Sequence, residues 1–206
     1  MQIQPDYSAA ADRNKQAILD VLVSVVPAHG NALEIASGTG QHVAWFASGL
    51  PGWAWQPSDA QPDGFASINA WVAEQGVRNV RAPVVIDVMA PRWLPGQQFF
   101  DLLYCANMLH IAPWATCAAL MRGGAQHLAP GGQLVTYGPY LEDGVPASSG
   151  NVAFDESLRE RNPVWGIRRI EDVQAQAANV GLKLFSRHAM PANNLLLVWG
   201  REQPSA

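Results

Sequence analysis

The sequence predicts one α/β domain in which helices cover a largely parallel β-sheet. The chain has 206 residues, and at ~150 residues per domain this leaves no room for a second full domain. Hydrophobic residues make up 49% and charged residues only 15% of the chain, so it buries a core and is not a disordered protein. Helical and strand-like patterns alternate along most of its length, which is typical of a parallel sheet.

Helix and strand patterns alternate through the first half of the chain. Between residues 14 and 26 apolar side chains recur at helical spacing, and this segment ends at Pro27 and Gly30. A short apolar run then leads into a turn that contains Gly38 and Gly40. On these criteria we predict helices over residues 14–26, 41–47 and 65–75, and strands over residues 32–36, 53–56 and 83–86.

The second half continues the alternation and ends with two strands. Residues 99–106 form an apolar run interrupted only by Asp101, which is the pattern of a central strand buried on both faces. We predict helices over residues 113–127 and 170–180, and strands over residues 133–137, 182–188 and 195–200. Too few residues separate the last two strands for a parallel crossover, so one of them is expected to be antiparallel.

Residues 138–165 lack a clear period and are punctuated by Pro, Gly and Ser. We predict an inserted loop here, with a short helix near residues 154–161. A loop of this length inside a compact domain is usually functional or mobile. We therefore interpret the segment as a candidate lid over a binding site.

Charge and composition exclude several classes of partner. The chain has 13 Lys plus Arg against 17 Asp plus Glu, a net charge of −4, and no basic block, so we expect no nucleic-acid partner. Its 2 cysteines show no zinc-ligand spacing, which favours a reducing compartment and no metal. The N-terminus lacks a signal-peptide pattern and no apolar run is long enough to span a bilayer, so we expect a cytoplasmic protein with no membrane partner.

Residues 33–40, Leu-Glu-Ile-Ala-Ser-Gly-Thr-Gly, carry the clearest functional motif. A strand here delivers Gly38 and Gly40 to the start of a helix. Glycine allows positive φ and close approach of the backbone to a ligand, and a helix N-terminus offers unpaired amide donors. The motif favours a nucleotide-like ligand, and the alternative is an ordinary turn between strand and helix.

The residues around the glycines narrow the choice of ligand. Val43 stands where a dinucleotide fingerprint has its third glycine, and there is no Gly-Lys-Ser/Thr triplet of a phosphate loop. Glu34 precedes the glycines, and its carboxylate suits an ammonium group better than a pyrophosphate. S-adenosylmethionine has such a group, whereas a nicotinamide cofactor remains the alternative.

Two further acids follow predicted strands. Asp59 ends the second strand and is placed to accept hydrogen bonds from ribose hydroxyls. Asp87 follows the third strand and is placed to accept from an adenine amino group, with Val88 or Met89 packed on the ring. Each acid alone would more simply cap a turn, but ligands of open α/β sheets bind outside the carboxyl ends of the strands, where both acids fall.

Residues 34–40 resemble the first motif of the class I, seven-stranded, Rossmann-like S-adenosylmethionine-dependent methyltransferases, with Ala36 in place of their usual first glycine. Nearly the whole chain resembles the methyltransferase-like protein 26 family, a domain-of-unknown-function family. Five short motifs carry that second resemblance: Arg13-Asn14-Lys15, residues 37–42, residues 107–111, residues 137–140 and Pro191-Ala192-Asn193-Asn194.

The resemblance implies a three-layer αβα architecture with the strand order 3-2-1-4-5-7-6 and an antiparallel last strand. It implies that residues 1–30 form an N-terminal helix over the cofactor cleft and that residues 31–206 form the methyltransferase domain. The residues implied to bind S-adenosylmethionine are Arg13, Asn14, Glu34, Ala36, Ser37, Gly38, Gly40, Asp59, Asp87, Val88, Asn107 and Met108.

Methyl transfer needs the nucleophile, methyl carbon and sulfur held in line and shielded from water. His110 follows the fourth strand and is our candidate for accepting a proton, unless it only fixes the loop. Tyr137, a second catalytic candidate, and Tyr140 are expected to line the acceptor pocket. His42 is interpreted as a local hydrogen-bonding residue, and Cys105 and Cys117 as core residues.

Three assignments outside the motif remain open. Trp165 closes the candidate lid and is placed to pack on an apolar acceptor. Arg168 and Arg169 follow it and either bind a substrate carboxylate or, in the simpler interpretation, form a solvated or ion-paired surface. Asn193 and Asn194 are expected to make a turn.

The sequence therefore predicts an S-adenosylmethionine-dependent methyltransferase with a small-molecule acceptor. Residues 107–110 lack the motif of enzymes that methylate flipped bases. Two alternatives stay open: a protein that binds the cofactor without catalysis and acts through a partner, and a nicotinamide-dependent oxidoreductase. A monomer and a homodimer are equally compatible with the sequence.

Overall fold

A mostly parallel sheet runs through the middle of the protein in the computed structural model, which describes residues 4–202. Residues 1–3 and 203–206, the ends of the two predicted segments, lie outside that range. The strands are β1 Gly30–Ile35, β2 Trp53–Asp59, β3 Val84–Val85, β4 Phe100–Ala106, β5 Leu128–Leu141, β6 Arg168–Arg169, β7 Lys183–Met190 and β8 Asn194–Gly200.

The strand order is β3-β2-β1-β4-β5-β8-β7, and the two-residue β6 pairs with the end of β5. Strand β8 runs antiparallel to both of its neighbours, whereas the pairs among β1 to β5 are parallel. With β6 set aside, this is the predicted order 3-2-1-4-5-7-6 with an antiparallel last strand, so the predicted topology is confirmed.

The helices cover both faces of the sheet. They are α1 Ala9–Val25, α2 Gln41–Gly49, α3 Phe65–Gln75, α4 Ala115–His127, α5 Ser149–Arg161 and α6 Ile170–Ala178. No helix within residues 4–202 is both long and apolar enough to cross a lipid bilayer.

Two apolar cores separate the layers, because successive side chains of a strand point to opposite faces. Leu102 packs with Ile18, Phe46 and Ile68 of α1, α2 and α3. Its neighbour Leu103 packs in the other core with residues of α4 and α6. This confirms the three-layer αβα architecture.

Strand β5 and helix α1 both begin earlier than predicted. Strand β5 begins at Leu128, five residues before its predicted start, and its first residues lie at a register shift against β4. Helix α1 begins at Ala9, five residues before its predicted start, where the Ser8 side chain accepts a hydrogen bond from the Ala11 amide.

The prediction of an irregular loop over residues 138–165 is wrong for most of that segment. Strand β5 continues to Leu141, held by its pairing with β8 and β6. Helix α5 covers thirteen residues, whereas only its second half was predicted. Ser148 caps it, and Leu158 is buried beneath it. The assignment of the segment as a lid stays a prediction.

Gly40 fixes how the first turn meets helix α3. Its φ is +89°, and a Cβ added there would lie 2.5 Å from the Cα of Ile68. A side chain at this position would therefore be strained and would also push α3 away from α2. Gly76, with φ +68°, ends α3 and has no atom within 4 Å of the same position.

We expect Gly40→Ala to lower the free energy of unfolding by about 2–5 kcal/mol, combining left-handed strain with overpacking. The matched variant Gly76→Ala meets only the strain and should lose about 1–2 kcal/mol. Urea unfolding followed by tryptophan fluorescence measures both. Equal losses in the two variants would show that the contact with α3 does not matter.

Candidate active site

The candidate site lies where β1, β2, β4 and β5 end at their carboxyl termini, the edge at which α/β sheets bind ligands. It has two parts. The first is the turn between β1 and α2, and the second is an open cleft between α1, α5 and the ends of β4 and β5.

The turn after β1 is unusual because three of its five residues have positive φ. These are Ala36 at +56°, Gly38 at +55° and Gly40 at +89°. Ser37 donates its amide to the Ser58 carbonyl at 2.8 Å. The turn is therefore fastened to the end of β2.

The side chain of Asp59 holds the turn at a second point. One carboxylate oxygen accepts the Gly38 amide at 2.9 Å, and the other accepts the Ala60 amide at 2.8 Å. The structure thus brings Asp59 against the glycine turn, as the ribose-binding prediction requires. It also makes the simpler turn-capping contact that the sequence left open.

Glu34 is buried below this turn with only 2% of its surface exposed. Its Oε2 atom has no hydrogen-bond partner among the described residues. Burial raises the pKa of Glu34 to about 8, a bond with Ser37 opposes this rise, and the Asp59 charge adds to it. The carboxyl therefore keeps its proton near neutral pH in the free protein, because an unpaired buried charge is costly, and a cation bound beside it would favour the ionised form.

The residues predicted to meet adenine have mainly local contacts. Asp87 is exposed beyond the end of β3, and its side chain accepts the Met89 amide at 2.8 Å. Val88 is buried in the core on the α4 face. Met108 is half-buried, with its sulfur 4.0 Å from that of Cys105. A cofactor role for these residues stays a prediction.

The cleft has a volume of about 820 Å³. Five of the predicted site residues line it: Arg13, Asn14, Asn107, His110 and Tyr137. Asn193 and Asn194, expected to make a turn, lie in the turn between β7 and β8 and also line the cleft. The residues predicted around the glycine turn do not line this cleft, so the structure divides the predicted set into two neighbouring groups.

His110 is 6% exposed and lies edge-on to Phe154, with the ring centroids 5.5 Å apart. Burial, with a smaller effect of the positive charges of Arg168 and Arg161, lowers the pKa of His110 to about 4. The imidazole is therefore neutral at physiological pH and has a free lone pair at one ring nitrogen.

A buried hydrogen-bonded chain links helix α1 to both parts of the site. His42 Nε2 lies 2.7 Å from Asn14 Oδ1, and the other ring nitrogen lies 3.4 Å from the Tyr104 hydroxyl. Asn14 lines the cleft together with Tyr137 and Asn194. His42 thus has the hydrogen-bonding role predicted for it, and it holds α1 across the cleft.

Several other sequence-based interpretations are settled by their contacts. Arg168 donates to the carbonyls of Leu109, Ala112 and Val164, and Arg169 pairs with Asp143. Both arginines therefore have structural contacts.

Cys105 and Cys117 are buried in the core, as predicted. Tyr140 is also buried in that core and donates to the Thr136 hydroxyl at 2.9 Å. Trp165 is half-buried under Arg161 and does not line the cleft.

The sequence reasoning missed the contribution of helix α5. Asn151 and Phe154 line the cleft from this helix, and the Asn151 side chain donates to the Asn193 carbonyl at 3.2 Å. Ser148 was the sequence signal for the start of this helix, because serine is a preferred N-cap residue. Its side chain accepts a hydrogen bond from the Asn151 amide. No group of three or more His, Cys, Asp or Glu side chains within residues 4–202 is arranged to hold a metal ion.

Comparison with known proteins gives a family match and several matches of fold. The model of a family described as "Protein of unknown function (DUF938)" matches residues 5–201. The apo S-adenosylmethionine-dependent methyltransferase SibL has a TM-score of 0.78 at 18% identity, covering 95% of this chain and 56% of that one. The mitomycin 7-O-methyltransferase MmcR has a TM-score of 0.78 at 15% identity, covering 94% and 55%.

An O-methyltransferase family protein from Burkholderia thailandensis has a TM-score of 0.76 at 17% identity, covering 95% of this chain and 58% of that one. The chain therefore spans between a half and three fifths of the length of these three proteins. At such identities the likeness is one of fold, the Rossmann-like methyltransferase fold.

We expect Glu34→Gln to stabilise the protein at neutral and alkaline pH. The Glu34 pKa is about 8 in the folded state, against 4.5 for an ordinary glutamate. The folded state therefore keeps a proton that the unfolded state releases, and the wild-type free energy of unfolding falls as pH rises across this window. Glutamine does not titrate, so the advantage of the variant should grow to a few kcal/mol at ~1.4 kcal/mol per pKa unit.

Urea unfolding at pH ~5 and at pH ~8.5 measures how the stability advantage of Glu34→Gln grows. These two pH values span most of the range between the unfolded and folded pKa values of Glu34. Glu74→Gln, at an exposed position of α3, is the control and should show no such dependence on pH. A Glu34→Gln advantage that is equal at both pH values would contradict the buried carboxyl.

Proposed function

The chain belongs to the family described as protein of unknown function DUF938, and on that premise we propose that it is an S-adenosylmethionine-dependent methyltransferase with a small-molecule acceptor. One observation carries the proposal. The buried Glu34 carboxyl, directly below a left-handed glycine turn, has an oxygen with no hydrogen-bond partner in the described part of the chain. An acid in that place suits a ligand that brings a positive charge.

The residues of the turn fit this cofactor. Glu34 would meet its ammonium group, and Asp59 would accept from its ribose while remaining on the Gly38 amide. Gly38 leaves open space at its Cβ position, so a ligand has room to approach the backbone there. Asp87 and Val88 would meet the adenine. When bound, the cofactor supplies a methyl group on a positively charged sulfur.

Two features argue against the nicotinamide alternative. A pyrophosphate beside the Glu34 and Asp59 carboxyls would be repelled. Val43, at the position of the third glycine of a dinucleotide fingerprint, is fully buried in the core of the α1 face, so that position packs against the core and offers no glycine.

The open cleft supports binding of an acceptor beside the turn. Asn107 and Tyr137 come from the ends of β4 and β5, His110 from the segment after β4, and Arg13 and Asn14 from α1. Burial raises the pKa of Tyr137, which keeps its hydroxyl protonated as a hydrogen-bond partner. Neutral His110 has a lone pair for the acceptor's proton. Helices α1 and α5 flank the cleft and would keep water from the reacting atoms.

We also propose kinship with the methyltransferase-like protein 26 family, on the five short motifs that carry the resemblance. Four of these motifs contribute residues to the cleft, among them Arg13, Asn107, Tyr137 and Asn193. One measurement distinguishes the methyltransferase from the alternative, a cofactor-binding protein without catalysis. The alternative predicts affinity for the cofactor and no methyl transfer.

We expect S-adenosylmethionine and S-adenosylhomocysteine to bind with micromolar affinity in calorimetric titrations. Asp59→Asn should weaken both at least tenfold, since one bidentate acceptor of the ribose is lost, at ~1.4 kcal/mol per decade. The exposed neighbour Asp63→Asn is the control and should bind like wild type. No binding at millimolar concentration, or a wild-type affinity for Asp59→Asn, would defeat the proposal.

The same titrations test Glu34. Its raised pKa means that the free protein holds a proton there at pH ~6.5, and an incoming ammonium group would displace it. Binding measured in buffers of different ionisation enthalpy should therefore release close to one proton. Glu34→Gln should release none and bind more weakly.

We expect His110→Asn to lower kcat about 10²-fold or more with little change in KM, since it removes the lone pair that takes the acceptor's proton. The measurement is transfer of labelled methyl from S-adenosylmethionine to an acceptor in a metabolite extract. His29→Asn, at an exposed position before β1, is the control. Unchanged kcat in His110→Asn would leave that histidine with a structural role only.

A further inference from the structure

The acceptor cleft differs in charge from the rest of the protein. The chain carries 17 Asp plus Glu against 13 Lys plus Arg, so its surface is mainly acidic. None of the sixteen residues that line the cleft is an Asp or Glu, and Arg13 is its single permanently charged residue. The cleft lining thus lacks carboxylates, although the protein carries a net charge of −4.

The positive charge of Arg13 is not neutralised by an ion pair within residues 4–202. Its neighbour Asp12 is held by Lys15 at 2.5 Å. Arg13 is exposed on the first turns of α1, at the edge of the cleft. It is therefore free to pair with a charged group of a ligand.

The inner part of the cleft is also positive. The charged groups that act on His110 are Arg168 and Arg161. Arg168 donates hydrogen bonds to backbone carbonyls, and Arg161 donates one to the Ser157 carbonyl. Neither guanidinium is paired with a carboxylate of residues 4–202, so neither charge is neutralised there.

Three acids that lie outside the cleft lining are ion-paired or protonated. Asp155, beside Phe154 on α5, is held by Arg159 at 2.8 Å. Glu142 is held by Arg187 at 2.5 Å. Glu34, on the other side of the turn, keeps its proton in the free protein, because burial raises its pKa to about 8.

We propose, resting on the function proposed above, that the methyl acceptor is an anionic small molecule whose carboxylate pairs with Arg13 at the mouth of the cleft. Its apolar part lies against Phe154 and Ile111, which are both partly exposed on the cleft wall. Its methyl-accepting atom lies at the inner end, beside His110 and Tyr137. A positively charged acceptor is repelled at both ends.

The charge preference is large enough to measure. Opposite charges ~4 Å apart gain about 1 kcal/mol even in bulk water, and like charges lose as much. An anionic ligand should therefore bind about 30-fold more tightly than a cationic ligand of the same shape, because a difference of about 2 kcal/mol corresponds to that ratio.

Three probes of matched size test this proposal: benzoate, benzyl alcohol and benzylammonium. Their dissociation constants are measured by ligand-observed NMR with the free protein and with the protein saturated with S-adenosylhomocysteine. We expect benzoate to bind most tightly and benzylammonium most weakly. The preference for benzoate should shrink at high salt, because screening weakens the exposed contact.

Arg13→Gln should weaken benzoate about fivefold and leave benzyl alcohol unchanged. Arg122→Gln, an exposed arginine of α4 outside the cleft, is the matched control and should change neither. Benzylammonium binding as tightly as benzoate, no benzoate binding at millimolar concentration, or an unchanged benzoate affinity in Arg13→Gln would each overturn the proposal.

The design separates this inference from the proposed function. Failure of S-adenosylhomocysteine to bind contradicts the methyltransferase assignment, whereas the charge preference is still measured on the free protein. Loss of S-adenosylhomocysteine affinity in Arg13→Gln with unchanged benzoate affinity would assign Arg13 to the cofactor and overturn its role with the acceptor.

Discussion

The two hydrogen bonds that fasten the turn after β1 to the end of β2 are the contacts on which the rest of the site depends. Ser37 donates to the Ser58 carbonyl, and Gly38 donates to the Asp59 side chain. They hold the turn in its left-handed shape above Glu34. Without them, the buried carboxyl would reach solvent and the first turn of α2 would lose its position against α3.

Backbone strain within residues 4–202 is concentrated at the same edge of the sheet. The residues other than glycine that have positive φ there are Ala36, Asn107, Ala192 and Asn193. Ala36 belongs to the glycine turn, and the other three line the cleft. Such conformations cost about 1–3 kcal/mol each and persist where surrounding contacts enforce them, which happens mostly at functional sites.

The two parts of the site have opposite electrostatic character. Within residues 4–202, one oxygen of the buried Glu34 carboxyl at the turn lacks a hydrogen-bond partner, whereas the cleft is lined by Arg13, which has no ion pair, and by no carboxylate. A cationic cofactor and an anionic acceptor would each meet the opposite charge. Hydrogen bonds from Tyr104 through His42 reach Asn14 of α1, which lines the cleft, so these bonds position α1 beside it.

The sequence by itself determined the fold class and the bounds of α3, because apolar periodicity and turn residues are local signals, whereas the strand order came from the family resemblance. It also determined the glycine turn and both acids beside it. It did not determine the extension of β5 to Leu141 or the start of α5 at Ser149, since strand pairing with β8 and burial of Leu158 are contacts between distant parts of the chain. Only the tertiary structure placed Asn151 and Phe154 opposite Arg13 and left that cleft without a carboxylate, because the lining of a cleft depends on which distant segments the fold brings together.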